Sequence, residues 1–395
     1  MNSSDQTMPD RRSGATGGRK PVVLQVLPEL VTGGVERGTV DIASAVAAKG
    51  WVSIVASAEG PMVADLERAG VEHVTLPLQS KKPWTIHRNA GALTELAFDR
   101  EIDIVHARSR APAWSAMIAA RRIGAHFVTT YHGAYNANNP IKNLYNSVMA
   151  RGEKVIAISD FIATQIQQRH KIERERIVTI HRGVDVELFD PKKTSAERII
   201  QLANAWRLQD GMPVIMLPGR LTRWKGQSVL IDALGHLGRD DVRCLLVGSD
   251  QGRKGYRQDL DKLVRDRGLD NIVHVVDNCR DMPAAYMLAD VVVSASTDPE
   301  AFGRVAVEAQ AMGRPVVASD HGGARETVLP WQTGWLVTPD DPKALASAIA
   351  DALALDASAR EKMADVARAH VLEHFTVDQM RAATLEVYQH VLDSA

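Results

Sequence analysis

Two consecutive α/β domains, each a doubly wound parallel sheet, are what this sequence predicts, with a ligand cleft between the carboxyl ends of the two sheets. Three observations carry that prediction. Short β-branched apolar runs alternate with amphipathic segments from residue 21 onward, the pattern that βαβ crossovers require. The length of 395 residues suits two or three domains. The alternation breaks once, over 182–193, where Gly183, Asp185, Asp190 and Pro191 mark a junction.

Residues 1–20 are polar, with no apolar run, and read as a disordered tail and not as a secretory signal. The first domain, 21–190, opens on a strand over 21–27 (PVVLQVL) whose β-branched content predicts burial. A loop, PELVTGG, leads into a helix from about Val35, with Ile42, Ala43, Val46 and Ala47 as apolar positions and Gly50 as its stop. Strands over 52–56, 71–76, 103–106, 126–131 and 154–158 then alternate with helices over 62–69, 86–98, 112–123, 141–150 and 161–168. In the second domain, 191–375, strands over 213–217, 242–247, 272–276, 291–296 and 315–318 alternate with helices near 228–237, 257–266, 282–288, 302–312 and 342–355. Helices over 357–374 and 377–392 close the chain, and residues 376–395 are expected to pack back across the domains.

Composition excludes several function classes. Lys+Arg is 47 against Asp+Glu 48, so the net charge of −1 offers no nucleic-acid footprint. Two cysteines, Cys244 and Cys279, cannot build a disulfide framework and fit a reducing, cytoplasmic setting. No run approaches the length of a membrane span. The thirteen histidines show no metal-ligand spacing, and the one Asp-x-Asp, Asp259-Leu260-Asp261, lies on a predicted exposed helix. No cofactor and no metal are expected. Charge is uneven, however: residues 1–190 carry +3 and residues 191–395 carry −4. Arg108, Arg110, Arg121 and Arg122 fall near one predicted helix of the first domain, as a candidate face for an anionic acceptor or lipid surface.

Three loops could carry chemistry. Gly33-Gly34 stands between the first strand and helix, where a backbone without side chains lets a phosphate approach the helix amino terminus. It is not G-x-G-x-x-G, so a dinucleotide fingerprint is absent. Gly219-Arg220-Leu221-Thr222-Arg223-Trp224-Lys225-Gly226 follows a strand, and the cations Arg220 and Lys225 can neutralise a leaving diphosphate without a metal. Finally, Glu300 lies in the loop after the strand VVVSAS and Glu308 on the helix beyond, with the amides around Phe302 and Gly303 between them. Two carboxylates that each accept neighbouring hydroxyls suit a polyhydroxylated ligand.

Together with Ile158-Ser159-Asp160 and the segment from Asp320 to Glu326 (DHGGARE), these motifs resemble, in order over roughly 21–390, the family-four retaining glycosyltransferases of GT-B fold, two Rossmann-like domains. The segments HARSRAPAW, TTYHGAYN and RLTRWKGQ resemble bacterial lipopolysaccharide-core enzymes. The resemblance implies a first domain for the acceptor and a second for a nucleotide sugar. It implies Arg220 and Lys225 on the diphosphate, Glu308 on the ribose, Glu300 on the transferring sugar, Gly33-Gly34 beside the diphosphate, and His132 near the reacting sugar. The resemblance points to mannose from GDP-mannose as the sugar, with UDP-hexoses open. The acceptor is a glycolipid met peripherally at the cytoplasmic face of the inner membrane. His181-Arg182 departs from the family's Pro-Asn. The rivals are a nucleotide-sugar epimerase of the same fold and a non-catalytic sugar-nucleotide-binding protein.

Overall fold

The computed structural model describes residues 18–31, 33–135 and 139–394; most of the expected tail, Thr32 and Asn136 lie outside the described residues. The chain divides into two compact units. One runs to His181 and takes in the chain from Asp378; the other is Arg182–Val377.

The first unit holds β1 (Val22–Glu29), β2 (Val52–Ala58), β3 (Glu72–Thr75), β4 (Ile104–Ala107), β5 (His126–Tyr131), β6 (Lys154–Ala157) and β7 (Ile177–Thr179). All pair parallel, in the order β3-β2-β1-β4-β5-β6-β7. Helices on both faces explain why β1 and β4 are buried runs without alternation. The second unit repeats the plan with β8 (Val214–Pro218), β9 (Arg243–Val247), β10 (Val273–Val276), β11 (Val291–Ser294), β12 (Val316–Ser319) and β13 (Gly334–Val337), ordered β10-β9-β8-β11-β12-β13. Its core packs Ile215, Leu217, Leu246 and Val293 from the sheet against Leu230, Leu234 and Ile349 from the helices. Cys244 is inside that core, where burial pushes its thiol pKa up and leaves it inert.

Both sheets reverse direction of strand order once, between β1 and β4 and between β8 and β11. In open sheets of this kind, ligands bind at the carboxyl ends on either side of such a reversal. The loops after β8 and β11 are therefore adjacent by topology, although some seventy residues separate them in the chain.

Every predicted strand is present. Two more, β7 and β13, were not expected from the pattern. Each is an edge strand of three or four residues, β7 directly after the charged turn Arg174–Arg176 and β13 opening on glycine. Helix Ala196–Ala205 also lies outside the expected pattern; none of its residues is fully buried.

The last helix, Val377–Asp393, contributes most of its length to the first unit. Tyr388 is fully buried, and its hydroxyl shares a hydrogen bond with Nδ1 of His106, whose Nε2 lies 2.7 Å from the Thr130 hydroxyl. Burial, reinforced by the Arg108 charge, holds that imidazole well below its usual pKa and therefore neutral.

The arginine face expected from the sequence does not exist. Arg108 is 3% exposed: its amide donates to the Val26 carbonyl, and its side chain is enclosed in the unit's interior. Burial pushes its pKa down to about 10, against the opposing influence of Tyr388 and Asp41. Arg110 is half-buried, donates to Asn146 Oδ1 at 2.9 Å and stacks 4.1 Å over the Tyr135 ring. Arg121 and Arg122 are exposed, but in the last turn of helix Arg110–Ile123, at its opposite end. Clustering in sequence did not become clustering in space, because the first two follow a strand into the fold and the last two end a helix.

Candidate active site

The reversal between β8 and β11 places the two charged loops side by side. Gly219 leaves β8 and the chain turns through Arg223–Lys225, a single 3₁₀ turn, before helix Gln227–Leu237. Gly226 closes that turn with φ of 72° and presses on the loop after β11: a β-carbon there would stand 1.8 Å from the Ala295 carbonyl oxygen. Thr297 then donates its amide to the Trp224 carbonyl at 2.8 Å. Gly226→Ala is expected to combine left-handed strain with a backbone clash and to cost about 2–4 kcal/mol. A lowered melting temperature together with lost activity is the measurable outcome.

These contacts bring Lys225 to Glu300. The ammonium Nζ donates to Oε1 at 2.6 Å, with both side chains about one-seventh exposed. The hydroxyls of Ser296 and, at 3.4 Å, Ser294 donate to the same oxygen. Burial alone would raise the Glu300 pKa, but the Lys225 charge and these hydrogen bonds outweigh it and hold the carboxyl below its usual value. All three donors converge on Oε1, and among the described residues Oε2 has no hydrogen-bond partner. One carboxylate oxygen is thus anchored and the other can accept a ligand hydroxyl. Lys225 spends one of three N–H donors on Glu300 and keeps two for an anion.

Arg220 is exposed, and among the described residues its guanidinium forms no ion pair; its carbonyl is held by Gln227 Nε2 at 3.0 Å. Arg223, by contrast, is committed to Asp259 at 2.6 Å and lies over the Tyr256 ring. The Asp-x-Asp pair is likewise committed, Asp259 to Arg223 and Asp261 to Arg257.

Glu308 lies on helix Arg304–Ala311 and is 9% exposed. Arg304, one turn earlier, donates to its Oε1 at 2.7 Å, and the buried Tyr286 hydroxyl donates to Oε2 at 2.9 Å. Burial first, then the Glu308 charge, pushes the Tyr286 phenol pKa well up, so it remains a donor. Each carboxylate oxygen retains a lone pair for a further hydroxyl. Gly303 caps this helix in the left-handed region, at φ of 85°. The Phe302 ring is buried edge-on to Phe375, with centroids 5.7 Å apart, so this side chain packs in the core.

The segment from Asp320 to Glu326 (DHGGARE) earns its glycines against this loop. A β-carbon on Gly322 would lie 2.4 Å from the Glu300 carbonyl oxygen, and the Gly323 amide donates to that oxygen at 2.8 Å. In the first unit, Gly33 precedes helix Gly34–Ala48 with an extended φ of 169°, which any residue can adopt. His132 is half-buried immediately after β5. Sequence reading did not single out Tyr286, Arg304 or Ser294. The Arg304–Glu308 spacing of four was legible as a helical ion pair, whereas Tyr286 comes from a separate helix and left no local signal.

Residues 32–188 match the model for Glycosyltransferase Family 4, and residues 199–370 match Glycosyl transferases group 1. The D-inositol 3-phosphate glycosyltransferase of Xylanimonas cellulosilytica is 33% identical over 304 residues, 72% of this chain and 71% of its own length. A crystal structure of a glycosyltransferase from Rickettsia africae is 37% identical, with a TM-score of 0.88 over 95% of this chain and all of that one. This chain belongs to the group 1, family 4 glycosyltransferases. The glycosyltransferase also shares its architecture with Anabaena HepE in complex with UDP-glucose, at 26% identity and a TM-score of 0.80 over 93% of this chain and 99% of that one. The two parallel-sheet units are those of the GT-B fold. Among the described residues of the glycosyltransferase, no helix is long and apolar enough to cross a membrane.

Proposed function

We propose that this glycosyltransferase moves a hexose, with retention and without a metal, from a nucleoside diphosphate sugar to a glycolipid acceptor of a cell-surface glycan. The observation that carries the reading is the Lys225–Glu300 pair beside an uncommitted Arg220 at the strand-order reversal. Arg220 and the two remaining Lys225 donors meet the diphosphate, and their stabilisation grows as negative charge develops on it. Glu300 Oε2 accepts a hydroxyl of the sugar, and Glu308 accepts the ribose hydroxyls. The anomeric C–O bond to phosphate breaks, a C–O bond to the acceptor forms on the same face, and the acceptor proton passes to the departing phosphate oxygen. Glu300 positions and stabilises and does not attack. The base and sugar are GDP-mannose or a UDP-hexose; the UDP-glucose held by the Anabaena relative supports the second.

A second reading of the acceptor follows from the Xylanimonas relative, whose name specifies D-inositol 3-phosphate: a small phosphorylated polyol in place of the glycolipid. One experiment separates these. Purified protein is incubated with UDP-glucose or GDP-mannose and with either acceptor, in the presence and absence of a chelator. Transfer with unchanged anomeric configuration, insensitive to the chelator, is expected. Inverted product, or activity lost to the chelator and restored by manganese, contradicts the mechanism. Donor epimerised or hydrolysed without acceptor dependence points to the epimerase.

A further inference from the structure

Helix Pro140–Ser147 turns its apolar residues away from the protein: Ile141 is 80% exposed and Leu144, one turn on, is 60% exposed. Trp84, in the first turn of helix Pro83–Asp99, is 69% exposed. The two helices flank the same stretch of helix Arg110–Ile123. Trp114 Nε1 donates to the Tyr145 carbonyl at 3.1 Å, and the neighbouring Ser115 hydroxyl donates to the Ile86 carbonyl at 2.8 Å. Trp84 and the Ile141–Leu144 pair therefore belong to one rim, beyond the carboxyl ends of the strands. Scattered apolar residues are ordinary on a surface, but three large ones on one rim are not.

The exposed charges on the stretches that carry them have one sign. Lys81, Lys82, Arg88 and Lys142 are all exposed, with the Lys82 ammonium 5.5 Å from the Trp84 ring centroid. Between Glu72 and Glu95, and again between Asp103 and Glu153, the chain has no acidic residue. Exposed apolar side chains on stretches that carry cations and no carboxylates are complementary to an anionic lipid surface, into which tryptophan and leucine insert while lysines meet the headgroups.

We infer that this rim, and not the arginines of helix Arg110–Ile123, docks the first unit on an anionic membrane. The inference deepens the glycolipid reading and rests on it. Vesicle binding is therefore measured without donor or acceptor, and turnover with a soluble acceptor, so that either reading can fail alone.

The test is flotation of the full chain with phosphatidylcholine vesicles, with and without phosphatidylglycerol, over a range of salt. Binding to the anionic vesicles is expected, weakening as salt rises. Lys81→Gln with Lys82→Gln and Lys142→Gln should weaken it by about two orders of magnitude, at about fivefold per cation. Trp84→Ser with Ile141→Ser and Leu144→Ser should abolish the component that survives high salt while leaving turnover of a soluble acceptor intact. Arg121→Gln with Arg122→Gln should bind as the natural chain does. Absence of binding at low salt, or unaltered binding by both triple variants, overturns the inference. So does a dimer in solution that the apolar variant dissociates, since a second copy would then cover the rim.

Discussion

Lys225→Ala is expected to lower kcat by about two to three orders of magnitude, the usual consequence of removing one preorganised stabiliser of developing charge. With Lys225 on the diphosphate as proposed, the KM for donor should move far less, because such a contact strengthens as the leaving group departs. The substitution also strands Glu300, since breaking a buried pair from one side costs about 3–5 kcal/mol if the remaining charge stays ionised. The linkage has a definite sign. In the natural chain the Glu300 pKa is held below its unfolded value of about 4.3, so its stabilisation is present above that pH and is lost as pH falls through the folded value. Without Lys225, burial acts with less opposition, the carboxyl pKa rises, and the variant should lose stability as pH rises. Thermal unfolding against pH, beside steady-state kinetics, reads both effects. The double variant Lys225→Met, Glu300→Gln separates them: it should recover stability without recovering turnover. Near-normal turnover by a folded Lys225→Ala protein removes the assigned role.

Glu308→Ala is expected to raise the donor dissociation constant about 10–100-fold, the span covered by a hydrogen bond to a charged group, with a much smaller change in kcat at saturating donor. Ribose contacts are alike in the ground and transition states, so their loss appears in binding. The alanine also leaves the Tyr286 hydroxyl buried without its acceptor and releases Arg304. Tyr286→Phe is the companion variant. It keeps the carboxylate and removes one anchor, so donor affinity should fall less than in Glu308→Ala. Calorimetric titration with the nucleoside diphosphate measures both. A Glu308→Ala protein altered only in kcat would show that the ribose assignment is wrong.

Much of this was legible along the chain because it is local. A parallel strand buried on both faces writes itself as a short apolar run, so β1, β4, β8 and β11 could be placed within a residue or two of their observed limits. The glycine at 226 and the pair at 322–323 marked turns whose close backbone approaches the structure then displays. By itself the sequence determined the two α/β units, the order of their strands along the chain, and the residue types of the two charged loops. Tertiary structure alone decided which of those residues lie together. Lys225 and Glu300 lie 2.6 Å apart because β8 and β11 are neighbours across a strand-order reversal, a relation no local pattern encodes. Tyr286 reaches Glu308 from the helix that precedes β11, whereas Glu308 lies on the helix that follows it, a contact that likewise only packing decides. The arginines show the converse: 108, 110, 121 and 122 are close in sequence, yet Arg108 turns inward after a strand while Arg121 and Arg122 end a helix in solvent. Side-chain direction depends on what packs above each position, and that is set only when distant elements close around it.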